Sequence, residues 1–453
     1  MQGHSLKLWL LTTALLTAGC ATLPQYPADT AAELNYTQEI RSRYQASSEW
    51  WKLYNSPDLN GLIDMALENN PDYLKAAINI NKELYNLSLA TSDLFPTLSG
   101  NLSTSAQRRI DTGDGFSNSF SGEAGLSYEV DLYGKIRNLH SAQEFEYQAT
   151  VMDKETARLS LINSVVDLYF SLEYLQNTID VTKKNIRAYE GIRNITEAKY
   201  KNGKADDLEY LESKQSLLSE QNRLLEYETQ FKEMETSLKN ILNIRQEDSL
   251  NIKFGDILKQ QTLGINLDVP LAVLANRPDL LASQYRLEKA FKTLEAENKN
   301  WYPGISLKGA LGSSSDKART TFDFPYILGS VGVDLPFLDW NRVKNNVKLS
   351  EADYQIAVID FKDTLNQAVN EVAYYYFAYG KATESYKNID ENYRNSTKIT
   401  RYYEDRYNNG KTEFRDYLEA IYSENALRKN LILQKYQIIK YENYVYKAMA
   451  GKY

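Results

Sequence analysis

The sequence predicts a mixed α/β membrane protein in which one unit, a β-hairpin followed by long helices, occurs twice. Three observations lead to this prediction. Sequence landmarks recur 207 residues apart, two segments alternate apolar and polar residues, and each of these segments precedes a very long stretch of helix-forming residues. An internal repeat is established first because it fixes the architecture before any single element is assigned.

Four landmarks share the spacing of 207 residues. They are Asn-Pro-Asp around Pro71 and Arg-Pro-Asp around Pro278, Phe95-Pro96 and Tyr302-Pro303, residues 134–138 and 341–345, and the Tyr-x-Asn-Gly-Lys segments 200–204 and 407–411. Four pairs in one register predict a tandem duplication. We expect a first repeat over 56–243, a second over 276–453, and a linker over 244–275 that packs against the helices at mid-height.

Residues 1–19 have the pattern of an export signal. Lys7 precedes a short apolar run, and Thr-Ala-Gly then stands directly before Cys20. The run is too short to span a membrane as a helix, and small residues before a cysteine resemble a bacterial lipobox. We expect Cys20 to become the lipidated first residue of an N-terminal arm over 20–55. The alternative is an ordinary signal peptide followed by an unrelated cysteine.

Composition excludes several classes of protein. The net charge of −8 argues against a nucleic-acid-binding surface, and a mean hydropathy of −0.52 argues against a bundle of apolar membrane helices. Cys20 is the sole cysteine, and His4 and His140 are the only histidines. A His/Cys metal site or a histidine-dependent nucleophile is therefore nearly excluded. No cofactor is implied, and an enzyme is the weakest interpretation.

The two β-hairpins are expected over about 95–132 and 303–337, where apolar residues alternate with polar ones. Tilted strands of this length can cross a membrane, with one face toward lipid and the other toward water. A soluble, half-buried sheet would show the same alternation. Four strands cannot close a barrel, and open edges in hydrocarbon leave backbone groups unpaired. Membrane-spanning strands would therefore require a barrel that several chains share.

Three acidic residues fall on the polar side of the first hairpin: Glu123, Glu129 and Asp131. Copies of them from several chains would give a barrel lumen with a negative potential, which favours the passage of cations. Simple hydration of a water-filled wall explains the same residues equally well.

Each hairpin is followed by a pair of long helices. The predicted spans are 138–200 and 207–243 in the first repeat, with a turn at Asn202-Gly203, and 345–407 and 412–449 in the second, with a turn at Asn409-Gly410. Apolar residues at spacings of four and three form a coiled-coil seam, which consists of Leu161, Val165, Leu168, Leu172, Leu175 and Ile179. At 1.5 Å per residue the longer helices would be rods of roughly 95 Å.

Seven motifs spread over nearly the whole chain carry a family resemblance. They are Trp50-Trp-Lys-Leu-Tyr54, Asn70-Pro-Asp72, Asp131-Leu-Tyr-Gly-Lys135, Arg277-Pro-Asp-Leu-Leu281, Pro303-Gly-Ile-Ser-Leu307, Leu335-Pro-Phe-Leu-Asp-Trp-Asn-Arg342 and Tyr407-Asn-Asn-Gly410. Jointly they resemble the outer-membrane factor lipoproteins of tripartite efflux systems, the outer membrane efflux protein family that includes TolC.

The resemblance implies a TolC-like homotrimer. Three chains with four strands each would form one 12-stranded β-barrel in the outer membrane of a Gram-negative bacterium, continued by a long α-helical barrel in the periplasm. The implied partners are outer-membrane lipid, a periplasmic adaptor protein and an inner-membrane transporter of the resistance-nodulation-division (RND) type. The implied function is a passive exit duct for small molecules such as drugs, other toxic compounds or metal ions.

The resemblance also implies a gate at the helix ends farthest from the strands. Arg406 and Tyr407 match the Arg-Tyr pair that precedes the family's turn, and Glu419 matches its pore-facing aspartate. Arg415 stands where the family often has a constricting leucine, so it would place positive charge near the pore. The matching part of the first repeat contributes Asp206, Asp207 and Glu212. Solvated charge at helix ends is the alternative for all of these residues.

Two other functions stay open at this point. The same fold can form the outer-membrane duct of a peptide or protein secretion system, and the residues do not decide the cargo because the duct itself supplies no chemistry. A lipid-anchored coiled-coil scaffold is the third interpretation. It predicts a protein that is soluble without detergent, whereas a shared barrel predicts a trimer extracted from outer membranes.

Overall fold

The computed structural model describes residues 49–108, 110–111, 115–265, 271–323 and 325–450. The predicted signal peptide over 1–19, the predicted lipidation site Cys20 and residues 21–48 of the N-terminal arm lie outside the described residues. The description begins with a short 3-10 helix, Trp50–Tyr54.

The elements follow each other in the same order in both repeats. The first repeat contains α1 (Pro57–Asn69), α2 (Pro71–Ser92), β1 (Thr97–Gln107), β2 (Ser117–Val130), α3 (Lys135–Lys201) and α4 (Asp207–Leu242). The second contains α5 (Pro278–Asn298), β3 (Gly304–Ser315), β4 (Pro325–Asp334), α6 (Trp340–Asn408) and α7 (Phe414–Ala448). A 3-10 helix, Leu271–Asn276, precedes α5 where α1 precedes α2.

Side-chain caps explain where several helices begin. The Ser56 hydroxyl accepts a hydrogen bond from the Leu59 N–H, and the Asn70 side chain accepts from two N–H groups in the first turn of α2. A proline follows each cap, at a position where the missing N–H would have no partner. α3 has 67 residues and α6 has 69, so each is a rod of roughly 100 Å.

The four strands form one antiparallel sheet in the order β1-β2-β3-β4. Leu98 pairs with Leu126, and Ala124 pairs with Leu311, which in turn pairs with Ile327. Residues paired directly across antiparallel strands share a face, so the apolar positions of all four strands fall on the same side. β1 and β4 are the edges of the sheet, and each has one side without a partner strand within the described chain.

The main core lies around the middle of α3. The predicted seam is buried there, with Val165, Leu172 and Ile179 almost fully covered and Leu168 half-buried. Trp50 enters the same core, where its indole N–H donates to the Asn443 side chain at 3.1 Å. The N-terminal segment is thereby fixed to the last helix of the chain.

The linker after α4 lies across the middle of α3 and the end of α7. Glu173 accepts a hydrogen bond from the Gly255 N–H at 3.1 Å, and Asn177 both donates to the Gly255 carbonyl and accepts from the Ile257 N–H. Buried Glu442 accepts from the Gly264 N–H at 3.0 Å. Buried side chains of α3 and α7 therefore satisfy the backbone of this irregular segment.

Candidate channel wall and gate

One face of the sheet is apolar and uncovered. Leu98 is 82% exposed and Ile327 is 86% exposed, although both lie within regular strands. The exposed apolar side chains of this face are Leu98, Leu102, Leu126, Leu307, Leu311, Ile327, Val331 and Val333. A contiguous apolar surface of this kind is rare on a soluble monomer and is typical of a protein or membrane contact.

The opposite face is polar. Glu123 pairs with Asn101 on one side and Gly312 on the other, and Glu129 pairs with Ser306. Lys308 lies on the same face, paired with Ser127. Both glutamates are exposed in the single chain. The ammonium group of Lys308 offsets part of their negative charge, which the prediction from the acidic residues alone did not take into account.

Asp131 has a different position from the other two predicted lumen residues. It lies one residue beyond β2, and its carboxylate accepts hydrogen bonds from the N–H groups of Ile136 and Arg137 at 3.1 and 3.0 Å. The Arg137 side chain adds an ion pair at 3.0 Å. Asp131 is therefore engaged with the first turn of α3, and the geometry gives it a structural role at the junction between strand and helix.

Tyr407 joins the two repeats at the far end of the helices. Its hydroxyl lies 2.7 Å from the Lys199 Nζ atom, and that ammonium group also lies 4.4 Å from the centre of the tyrosine ring. Phe414 and Tyr417 of α7 pack against the same ring at 5.4 and 5.7 Å. Lys199 was missed as a gate candidate. The repeat spacing could have identified it, because Lys199 stands 207 residues before Arg406, which was a candidate.

Arg406 forms its contacts within its own helix and turn. Its guanidinium donates to the Tyr402 hydroxyl at 2.9 Å and to the Lys411 carbonyl at 3.0 Å. It therefore stabilises the turn between α6 and α7. The structure brings Tyr407, and not Arg406, into contact with the first repeat.

Acidic residues from both repeats come together at this end. Asp206 caps α4 through the Glu209 N–H at 2.8 Å. Partial burial raises the pKa of Glu209, and the negative charges of Asp206, Glu212 and Glu413 raise it further, while Lys199 opposes them. The starts of α4 and α7 thus share one electrostatic environment. Asp207 lies in the first turn of α4 and is exposed.

Arg415 and Glu419 occupy the first two turns of α7. Both side chains are exposed in the single chain. Residues four apart lie on one side of a helix, so the two opposite charges project from the same face. This face is separate from the buried one, on which Phe414 and Leu418 pack against Tyr189 and Leu217.

None of the described helices is both long and apolar enough to cross a membrane. No group of three or more His, Cys, Asp and Glu side chains within the described part of the chain is arranged to hold a metal ion.

Comparisons with known proteins agree with this architecture. The family model described as outer membrane efflux protein matches residues 62–243 and 269–451, one segment for each repeat. The chain is 38% identical over 448 residues to the toxin and drug export protein A of Aggregatibacter actinomycetemcomitans, which covers 99% of this chain and 98% of the relative. It is 25% identical over 380 residues to the pyoverdine export outer membrane protein OpmQ of Pseudomonas putida, which covers 81% of this chain and 80% of the relative.

Solved structures share the fold. The outer-membrane channel OprN aligns with a TM-score of 0.83 at 20% identity over 90% of this chain and 93% of that one. The CmeC outer membrane channel of Campylobacter jejuni aligns with a TM-score of 0.81 at 26% identity over 90% and 88%. The predicted TolC-like fold and the family resemblance are both confirmed: the chain belongs to the outer membrane efflux protein family.

Proposed function

We propose that this chain forms the exit channel of a tripartite efflux pump and works as a homotrimer. The observation that carries the proposal is the sheet, which has an exposed apolar face, a polar opposite face and two edges without partner strands. Each unpaired backbone group at such an edge costs several kcal/mol in hydrocarbon. Three sheets of four strands, joined edge to edge, would form a closed 12-stranded barrel with the apolar face toward lipid.

The rest of the chain fits a position below that barrel. Lipid on Cys20 would anchor the N-terminal arm to the outer membrane, and rods of roughly 100 Å would project through much of the periplasm. At their far end they would meet a periplasmic adaptor and, through it, an inner-membrane transporter of the RND type. The channel itself has no energy source in this scheme, so transport through it is passive.

The far end of the helices acts as the gate in this proposal. Lys199 and Tyr407 hold the two repeats together, Arg406 stabilises the adjoining turn, and Arg415 and Glu419 place opposite charges on an exposed face of α7. Three acidic residues at the start of α4 would add negative charge to the gate in each copy of the chain: Asp206, Asp207 and Glu212. Separation of α3 from α6 at the Lys199–Tyr407 contact would open the tunnel.

Recordings on planar bilayers test the gate. The double variant Arg406→Ala and Glu419→Ala should show a higher resting conductance than the unmodified protein, because it loses the turn contact and a gate charge. Replacement of Lys183, whose ion pair with Glu228 lies well above the turns, is the control and should leave the resting conductance unchanged. Equal conductance in all three proteins would remove these two residues from the gate.

Glu123 and Glu129 would line the lumen of the barrel in three copies each. Their charge exceeds that of Lys308 on the same face, so we propose a mild preference for cations. Reversal potentials in a salt gradient measure this preference directly. Replacement of both glutamates by glutamine should abolish it, and an unchanged reversal potential would leave hydration as the role of these side chains.

The proposed cargo is small toxic molecules, such as drugs. A second candidate is export of a protein toxin, because the name of the relative at 38% identity joins toxin export with drug export. Deletion of the gene followed by complementation separates the two. Greater susceptibility to drugs that complementation restores supports efflux, whereas loss of toxin from the culture medium at unchanged susceptibility supports the second candidate.

The molecular mass of the protein purified from outer membranes, corrected for bound detergent, tests the assembly. The full sequence, including the predicted signal peptide, has a mass of 52.0 kDa, and we expect slightly less than three times this value once that peptide is removed. A monomer that needs no detergent would contradict the shared barrel and would leave a lipid-anchored scaffold.

A further inference from the structure

Two tyrosine rings and one carboxylate surround the ammonium group of Lys440 between α3 and α7. The Nζ atom of Lys440 lies over the Tyr436 and Tyr444 rings, 5.7 and 5.6 Å from their centres, and 3.7 Å from a carboxylate oxygen of Asp167. The hydroxyls of the two tyrosines donate to the Asp167 carboxylate at 2.9 and 3.2 Å. We call Asp167, Tyr436 and Tyr444 the cation cage.

Two further tyrosines support the cation cage from other parts of the helix wall. Tyr174 of α3 stacks on the Tyr436 ring with the centres 5.3 Å apart, and Tyr375 of α6 stacks on the Tyr444 ring at 5.0 Å. Burial raises the pKa of Tyr436 and Tyr444, and the negative charge of Asp167 raises it further. Both hydroxyls therefore remain protonated at neutral pH and continue to donate to the carboxylate.

Lys440 is the most weakly held member of this arrangement. Its ammonium group is beyond hydrogen-bond distance of Asp167, whose two oxygens already accept from the two phenols. The Lys440 side chain is 30% exposed, so it can move into water while the cage keeps its own hydrogen bonds. A carboxylate beside aromatic rings is an arrangement that binds organic ammonium groups.

The internal repeat shows that helix packing does not require the cation cage. The positions of α4 that correspond to the α7 side chains of this site, 207 residues earlier, are Thr229, Glu233 and Ser237. None of the three is aromatic or basic, yet α4 is as long as α7, with 36 residues against 35. The same kind of helix is therefore built without these tyrosines, which indicates a role for them beyond packing.

The cation cage faces away from the linker. Glu442 of α7 accepts a hydrogen bond from Gly264 of the linker, and both Lys440 and Tyr444 lie about 160° around the helix from Glu442. In the proposed tube the linker packs on the outside, so the cage opens toward the tunnel. Glu419 of the proposed gate stands three heptads before Lys440 and therefore falls on the same side of the coiled coil.

We propose that the cation cage binds organic cations in transit, and that Lys440 is a built-in occupant which such a cation displaces. This inference rests on the proposed exit channel and adds one class of cargo, molecules with a quaternary or aromatic ammonium group. The ammonium group of lysine is strongly hydrated, so a quaternary ammonium, which loses its water more easily, binds the rings in preference to it. Competition with Lys440 keeps the binding weak enough for release, as passage through a channel requires.

Equilibrium dialysis of the full-length protein in detergent against benzyltrimethylammonium measures the site directly. Lys440→Met keeps a long side chain but removes the competing ammonium group, and it should bind the probe about tenfold more tightly than the unmodified protein. Lys381→Met is the matched control, because Lys381 forms an exposed ion pair on α6 and its loss should leave the affinity unchanged. Equal or weaker binding by Lys440→Met than by the unmodified protein would overturn the proposal.

Two changes within the cage test its chemistry in the Lys440→Met protein. Asp167→Asn keeps the shape of the side chain but removes its charge, and Tyr444→Leu removes one half-buried ring. Each should abolish the added affinity for benzyltrimethylammonium, while weak binding of the neutral probe benzyl alcohol should be the same in all variants. Retention of the added affinity in both variants would place the probe at another site and contradict the cage.

The mass and the bilayer conductance of the same preparations separate this inference from the proposed channel. A conducting trimer in which Lys440→Met leaves the affinity for the probe unchanged would overturn the cation cage and leave the exit channel intact. A monomer without conductance would overturn the channel itself.

Discussion

Asp131 shows how a single residue fixes the change from strand to helix. Its carboxylate accepts two backbone hydrogen bonds and one from a side chain at the start of α3. Asp339, at the corresponding junction of the second repeat, accepts one long backbone hydrogen bond from Arg342, at 3.4 Å, and forms an exposed ion pair with the same side chain at 3.3 Å. The two junctions therefore differ in how firmly they are capped.

Asp131→Ala should destabilise the protein by about 1–2 kcal/mol, the usual cost of losing a helix cap. Asp339→Ala is the matched control and should cost less, since it removes one long backbone hydrogen bond and an exposed ion pair. The midpoint of thermal unfolding, followed by circular dichroism of the detergent-solubilised protein, measures both. Equal midpoints for the two variants would show that the contacts of Asp131 contribute no more to stability than those of Asp339.

Glu173 is a second residue of this kind, because its buried environment changes the pKa of its carboxyl group. Burial raises the pKa of Glu173 to about 7, although the hydrogen bond from Gly255 opposes this shift. Among the described residues, its second carboxylate oxygen has no hydrogen-bond partner. The folded state therefore holds the proton more tightly than the unfolded chain, where a glutamate has a pKa of about 4.3.

The stability of the protein should fall as the pH rises through about 7. Below about pH 4 both states bind the proton, and above it ionisation progressively favours the unfolded chain. Glu173→Gln removes this penalty and should raise the free energy of unfolding at pH 8 by roughly 3–4 kcal/mol, since each unit of pKa difference corresponds to about 1.4 kcal/mol. Unfolding midpoints at pH 5.5 and 8 check this. The difference between the two midpoints should be smaller in Glu173→Gln than in the unmodified protein. It should be unchanged in Glu226→Gln, which alters an exposed side chain of α4. The same difference in both variants would show that Glu173 is not the group responsible.

At the scale of elements, the contact between Lys199 and Tyr407 joins α3 to α6 at the far end of the long helices. Tyr407→Phe keeps the ring packing but removes the hydroxyl 2.7 Å from Nζ. A hydrogen bond to a charged group contributes about 1.5 kcal/mol, so the resting open fraction should rise roughly tenfold. Single-channel recordings measure that fraction.

Lys199→Met should have the same effect, because it removes the donor and keeps a long side chain. Lys201→Met is the control, since Lys201 is bonded to Glu197 one turn earlier in the same helix. The gate assignment fails if the Lys201 variant opens as often as the other two.

The long helices were predictable because their signals are local. Caps, the proline-free spans and the apolar seam all lie within a few turns of the residues they affect, and the observed α3 and α6 extend the predicted spans by a few residues at their starts. The role of Asp131 at the junction between β2 and α3 was harder to predict. Its carboxylate accepts hydrogen bonds from residues five and six positions later, whereas the sequence pattern assigns it to the polar face of a strand.

Contacts between distant parts of the chain were not predictable from one sequence. Trp50 bonds to Asn443 across 393 residues, and Lys199 meets Tyr407 across 208. Periodicity indicates which face of a helix is covered but not which residue covers it. For this reason the sequence does not distinguish Glu173 and Glu442 from exposed glutamates, although the linker covers both.

At the scale of the whole molecule, the internal repeat accounts for most of the architecture. One sheet of four strands and two pairs of long helices follow from the spacing of 207 residues. The described chain leaves two features of the sheet incomplete: its apolar face is uncovered, and its two edges have no partner strands. Assembly with further copies would complete both.

The two faces of the sheet provide the most direct test of that assembly. Val331 and Ser330 are neighbours in β4, and both are exposed in the single chain, but Val331 pairs with Leu307 on the apolar face and Ser330 pairs with Lys308 on the polar face. An arginine on a lipid-facing position of a barrel costs roughly 2–4 kcal/mol near the bilayer midplane, and a trimer would incur that cost in every chain. Val331→Arg should therefore abolish the proposed trimer in detergent extracts of outer membranes.

Ser330→Arg is the matched change, with the same side chain one position away. It should assemble normally and shift the reversal potential toward anions, because it adds positive charge to the lumen beside Lys308. If Val331→Arg assembles as well as Ser330→Arg, the apolar face does not meet lipid. The reverse pattern, with only Val331→Arg assembled, would mean that the polar face is the buried one. Either outcome would require a different explanation of why an antiparallel sheet carries its leucines and valines on an open face.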